Sequence, residues 1–305
     1  MSALQLQSGA GLIVLCGLAW GLGGFRRPVP WRIVAAGLAG VVGLAAVLLH
    51  VPPVRAAFQW AGAGVDALAR ATRAGTALVF GFLGGAPLPY AENAPGASFV
   101  VFFQALPVVL VVGALSALLF HWRVLPVLVG GMSRGLQRLF GISGACGFAV
   151  AANVFLGMVE APLLIRHWVA RLSRAELFAV MVSGLATISG NMLVIYATML
   201  APAVPDAAAQ LLAASLVGAP ASVLAAFLMM PPGRGDAGAG AANAAPPAGR
   251  IYDGAVDAVV RGTADGLQLL LGIMATLIVF VALVALVNEA LTPLTGLTLQ
   301  EVAGW

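Results

Sequence analysis

Two arginine clusters lie too close together for the apolar segment between them to cross a membrane in the ordinary way. Arg123, Arg134 and Arg138 close one polar segment; Arg166, Arg171 and Arg174 open the next, about 25 residues further on. Short loops rich in arginine stay on the cytoplasmic side, so both clusters belong on one face of the bilayer. A single span cannot start and end on the same side, and two spans need roughly 40 residues. The spacing therefore predicts a re-entrant helical hairpin. Its tip falls within residues 147–165 (GFAVAANVFLGMVEAPLLI), where Asn153, Gly157, Glu160 and Pro162 interrupt the apolar run. A carboxylate at bilayer depth costs about 2.5–3.5 kcal/mol on insertion scales, so it needs a reason to be there. Broken helices at that depth survive only against protein or a water-filled cavity. Together these features mark a binding site.

Composition agrees with a membrane setting. The 305 residues are 61% hydrophobic and 9% charged, with a mean hydropathy of +1.03. That excludes a soluble domain and specifies an all-α polytopic membrane protein. All 15 basic residues are arginine, and the net charge of +4 comes from loops, so it sets orientation and does not suggest nucleic acid. Cys16 and Cys146 fall in separate apolar segments, against a disulfide framework or a metal cluster. The N-terminus (MSALQLQSGAG) lacks a basic stretch before the first apolar segment, which reads as a retained helix and not a signal peptide.

Apolar runs long enough to span occur near residues 4–24, 31–50, 99–120, 176–200, 207–230 and 266–288, giving about six transmembrane helices plus the hairpin. Residues 54–83, with Arg55, Asp66, Arg70 and Arg73, read as an interfacial helix, and residues 122–140 have the same character. Arg26, Arg27 and Arg32 belong inside, which places the N-terminus outside. The chain divides into four regions: N-terminal helices with an interfacial helix (1–120), a core holding interfacial helix, hairpin and two spans (121–230), a flexible cytoplasmic linker of Gly, Ala and Pro (231–250), and a long helix with the truncated start of a second half (251–305). Asp257, Arg261 and Asp265 recur at i, i+4, i+8 and predict an ion-pair face where the long helix enters the membrane. His50, His121 and His167 sit at helix ends, and Trp31, Trp122 and Trp168 suit interfacial belts.

Glu160 either lines a pathway or pins the hairpin as an internally satisfied acid. Asn153 can give a side-chain carbonyl to a cation or act as a cap. Thr187, Ile188, Asn191 and Met192 fall in the small-residue run SGLATISGNM at 183–192. Close helix packing explains that run, and it also lets backbone and hydroxyl oxygens approach an ion. No second acid or base stands near Glu160 in sequence, and no nucleophile motif appears, so an enzyme is not indicated.

NVFLGMVEAPLLI followed by SRAELFAVMVSGLATISGN resembles the first hairpin and following helix of the concentrative nucleoside transporters. LLAASLVGAPASVLAAFLM at 211–229 resembles that family's next span, and DAVVRGTADGLQLLLGIMATLIVFVALVALVN its long sixth helix; LTLQEVAGW at 297–305 resembles the start of the next element. The resemblance runs in order over about residues 100–305. It implies a homotrimeric, elevator-type transporter in the inner membrane, taking up nucleosides with sodium or, in some members, protons, and using no other cofactor. It implies base contacts at Gly157, Met158, Val159 and Glu160, with Asn191 and Met192 nearby. It also implies a sodium site from the Asn153 side chain, the Leu156 carbonyl, and the hydroxyl-plus-carbonyl pair of Thr187 and Ile188. Such an oxygen-rich site at a helix break suits a hard cation.

Two departures carry expectations of their own. Met158 and Val159 stand where many members have Gln-Thr, which removes two polar contacts and points toward purine nucleosides, with Asn191 able to restore one. Family members also continue for roughly another hundred residues, with a second hairpin and two more spans that complete an inverted repeat. That predicts a truncated chain, for which the alternative function is a binding or assembly module that does not transport.

Overall fold

The computed structural model describes residues 3–25, 31–92, 96–157, 161, 165–201, 203–233 and 252–304, and these are helical almost throughout. The chain is an all-α polytopic membrane protein. Helix α1 (Ala3–Leu22) and α2 (Trp31–His50) are followed by α3 (Pro52–Phe80), α4 (Val101–Gln104) and α5 (Val108–His121). Helices α6 (Val124–Phe140) and α7 (Gly144–Asn153) lead to α8 (Arg166–Val169), α9 (Arg174–Ala186) and α10 (Gly190–Leu200). The chain closes with α11 (Ala207–Met229), α12 (Ala255–Thr295) and α13 (Leu299–Gly304).

Among the described residues, four stretches are long and apolar enough to cross a membrane: Trp31–His50, Val101–His121, Ala207–Met229 and Ala255–Pro293. They coincide with four of the six expected spans. The expected span at 4–24 forms the 20-residue α1. The expected span at 176–200 departs from expectation: it is two half-helices, α9 and α10, separated at Thr187–Ser189. The polar residues at the break, Thr187, Ser189 and Asn191, are too few to outweigh the apolar run around them, so apolar content alone hides it.

The expected interfacial segments are both amphipathic. Helix α3 begins on Pro52, which lacks the N–H that a first helical turn leaves unused. It buries Gly62, Thr72 and Thr76 and leaves Arg55, Asp66, Arg70 and Arg73 exposed. Helix α6 buries a stripe of Leu125, Val129, Ser133, Leu136 and Phe140, with Arg134 and Arg138 on the open side. Gly141 then adopts φ +68, the left-handed geometry that lets the chain reverse into α7. All ten residues of α7 are buried, and ten residues reach about 15 Å, half the hydrocarbon thickness. That is the length a re-entrant arm should have.

Helix α12 runs 41 residues, about 60 Å, and extends well beyond the expected 266–288. At its start Arg261 pairs with Asp257 (2.8 Å) and Asp253 (3.8 Å), so the partner before the helix replaces the expected Asp265. Helix α12 packs along α5 through glycines. A Cβ on Gly262 would sit 2.6 Å from the Gly113 carbonyl oxygen, and one on Gly266 would sit 3.0 Å from that of Val109. In a membrane, where lipid is as apolar as leucine, this backbone proximity is what gives helices a reason to associate.

Gly262→Ile should therefore overpack the α5–α12 contact and destabilise the protein by about 1–3 kcal/mol. Gly272→Ala, a position with open space around it, should leave the melting temperature in detergent unchanged or slightly raised. Equal melting temperatures for both variants would remove the packing role.

Candidate functional site

The two helices whose far ends carry the site, α7 and α9, are joined at their N-termini. Ser143 caps α7, its Oγ accepting from the Cys146 N–H at 3.3 Å. Ser173 caps α9 in a capping box with Glu176: Ser173 Oγ accepts from the Glu176 N–H, and Glu176 Oε2 accepts from the Ser173 N–H, both at 3.2 Å. The other carboxylate oxygen of Glu176 accepts from the Ser143 N–H at 2.7 Å. One buried acid, 5% exposed, thus joins the starts of α7 and α9. The positive ends of both helix dipoles stabilise its charge.

Asn153 ends α7 and is 1% exposed. With its amide in one orientation, Nδ2 donates to the Val180 carbonyl at 3.3 Å. Turned over, the nitrogen donates to the Gly157 carbonyl (3.1 Å) and the oxygen accepts from the Gly184 N–H (3.2 Å). The second arrangement satisfies both ends of the amide. Either way, Asn153 lies against the backbone of α9 at residues 180 and 184. Gly157, at φ +100, is the position where the chain turns after α7, and only glycine adopts that geometry freely.

One turn along α9 the helix stops. Thr187 is extended (φ −112, ψ 148), and its Oγ1 donates to the Ser183 carbonyl at 2.8 Å. Ser189 caps α10 with its hydroxyl. The Gly190 N–H donates to the Phe155 carbonyl in the hairpin turn at 3.0 Å. A Cβ on Gly190 would lie 2.9 Å from that oxygen, so the contact requires glycine. On the opposite side, Ser215 of α11 brackets the Ile188 peptide: its Oγ accepts from the Ile188 N–H (3.3 Å) and donates to the Ile188 carbonyl (3.2 Å).

Of the expected cation ligands, Asn153, Leu156, Thr187 and Ile188 all fall at this junction of hairpin turn and broken helix. Of the expected substrate residues, Gly157 stands at the turn, and Met192 lies in the first turn of α10 with its N–H on the Ser189 hydroxyl. Asn191 is the second residue of α10. Met158, Val159 and Glu160 lie outside the described residues. Reading the sequence alone misses Glu176 and Ser215. The S-x-x-E spacing of Ser173 and Glu176 is the readable signal for the first, whereas a lone serine in α11 gives none for the second. The described residues contain no group of three His, Cys, Asp or Glu side chains that could hold a metal ion.

Glu176→Ala should destabilise the protein by about 3 kcal/mol, since two hydrogen bonds to a charged acceptor are lost. Glu176→Gln keeps one acceptor and should cost roughly half as much. Thermal unfolding in detergent measures both, and wild-type melting temperatures in the pair would contradict the joint.

Three family models together match most of the chain: "Na+ dependent nucleoside transporter N-terminus" over residues 10–83, "Nucleoside recognition" over 102–203, and "Na+ dependent nucleoside transporter C-terminus" over 210–305. An uncharacterized transporter of Haemophilus influenzae is 32% identical, the alignment covering 98% of this chain and 70% of that protein. The nucleoside permease NupC of Helicobacter pylori is 30% identical over 93% of this chain and 65% of its own length. Among solved structures, CNTnw in an inward-facing substrate-bound state matches with a TM-score of 0.86 at 30% identity, covering all of this chain and 71% of that one.

Proposed function

This chain belongs to the Na+ dependent nucleoside transporter family, and we propose that it carries a nucleoside into the cell together with a cation. It is a transporter and not an enzyme. The observation that carries this reading is the broken helix at Thr187–Ser189, packed against Asn153 and the hairpin turn. A transported ion needs oxygens at membrane depth that are neutral, close together and held by protein, and a helix break supplies them.

In this reading sodium is the coupling ion. Its ligands are the side chain of Asn153, the carbonyl of Leu156, and the hydroxyl and carbonyl oxygens of Thr187 and Ile188. The Asn153 side chain lies against the α9 backbone at Val180 and Gly184, just before the break. The nucleobase sits on the hairpin tip, against Gly157, Met158, Val159 and Glu160, with Asn191 and Met192 from the first turn of α10. Ion and substrate sites then share both elements. Binding of one pre-orders the other, which is how coupling arises thermodynamically. Met158 and Val159 leave the base edge with apolar contacts, favouring purine nucleosides.

The hairpin and the broken span move together as the transport body of an elevator, and the chain assembles as a homotrimer in the inner membrane with its N-terminus outside. The long apolar surface of α12, with Ile278, Phe280, Val281 and Leu286 exposed, supports a role as a fixed outer element in contact with lipid and neighbouring protomers.

Uptake of labelled guanosine and uridine, with and without sodium, tests the reading in cells lacking their own nucleoside transporters. Glu160→Gln should abolish nucleoside binding while the protein remains in the membrane; wild-type affinity would displace the base site from the hairpin. Asn153→Ala should raise the sodium concentration for half-maximal binding by about tenfold, the loss of one ligand worth about 1.4 kcal/mol. An unchanged sodium response would move the ion elsewhere or make the coupling ion a proton.

A further inference from the structure

We propose that the Ser183 hydroxyl is an additional oxygen ligand of the cation held at the α9–α10 break. The inference rests on the reading of that break as a cation site and adds to it a residue outside the expected set. Ser183 is 0% exposed, and its Oγ finds no hydrogen-bond partner among the described residues. Buried hydroxyls are almost always satisfied, because leaving one unpaired in an apolar interior is unfavourable. The usual remedies for a helical serine are not used here. It does not bond back to its own helix, and no side chain from α7 or α11 reaches it.

Its position says what it serves. At about 100° per residue, positions 180, 183, 184 and 187 of α9 fall within an arc of about 100°. Three of the four already belong to the site. Val180 and Gly184 present the backbone groups that meet the Asn153 amide, and Thr187 offers its hydroxyl at the break. Ser183 lies at the edge of that arc, one turn before Thr187. Its carbonyl is already occupied by the Thr187 N–H (3.1 Å) and Oγ1 (2.8 Å). The side-chain oxygen is what remains to be used. A hydroxyl can turn its hydrogen away and offer a lone pair to a cation. A third protein side-chain oxygen beside those of Asn153 and Thr187 would raise the ion's affinity without adding a charge.

The test is the melting temperature of the purified full chain in detergent, followed as sodium chloride replaces N-methyl-D-glucamine chloride at constant ionic strength. Ser183→Ala should increase the sodium concentration at the midpoint of the stabilisation by about tenfold, and should raise the melting temperature without sodium, because an unpaired buried hydroxyl is gone. A merely structural serine would change the sodium-free melting temperature and leave the midpoint where it was, and that result overturns the proposal. Ser183→Cys, close in volume, guards against a variant that fails to fold. Its soft sulfur should weaken the sodium response as alanine does, and a wild-type midpoint in it also overturns the proposal. Asn153→Ala run alongside separates two failures. If it shifts the midpoint and both Ser183 variants do not, the cation site stands without Ser183. If none of the three shifts it, the cation site itself is wrong, and this proposal with it.

Discussion

The structure depends on one requirement: a backbone group that leaves its helix inside a membrane must find a partner in the protein. Two helices are interrupted here, one after Asn153 and one after Ala186, and each interruption is answered by the other. The first N–H of α10 is received by the Phe155 carbonyl of the hairpin turn. The amide of Asn153 meets the backbone of α9. Ser215 covers the exposed peptide of Ile188 from a third helix. Neither break would be tolerated alone in lipid. Paired, they gather several oxygens where a continuous helix would offer none.

Small residues make that pairing possible. Gly190 allows the Phe155 carbonyl to approach, and Gly218 lies where a Cβ would be 3.2 Å from the Ala186 carbonyl oxygen. The same device holds α5 to α12 through Gly113, Gly262 and Gly266. At the second location it gives adhesion between helices, and at the first it lets the hairpin turn, the broken span and α11 meet backbone to backbone.

Much of this was legible in the residues. Arginine spacing located the hairpin, because the charge rule acts over short loops and a chain of fixed length has few ways to return to the same side. Apolar runs located four long helices, and the arginine-bearing segments proved amphipathic as their mixed pattern required. The break at Thr187–Ser189 was hidden. The polar residues around it are few and small, and the N–H that opens α10 is received by Phe155, some 35 residues earlier in the chain, about which local periodicity is silent. Ser183 read as one small residue among several, because packing and ligation favour the same residue types. The partnership of Arg261 with Asp253 in place of Asp265 has a similar cause: helical i+4 spacing points to Asp257 and Asp265, whereas Asp253 lies before the helix, where periodicity says nothing.

The double role of Glu176 has a mechanical consequence. Its two oxygens are shared between the first residues of α7 and α9, so parting these helices would strand a carboxylate in an apolar interior. A displacement that spares this joint would carry α7 and α9 as one piece. An ion held between them would see the same oxygens at both ends of the journey.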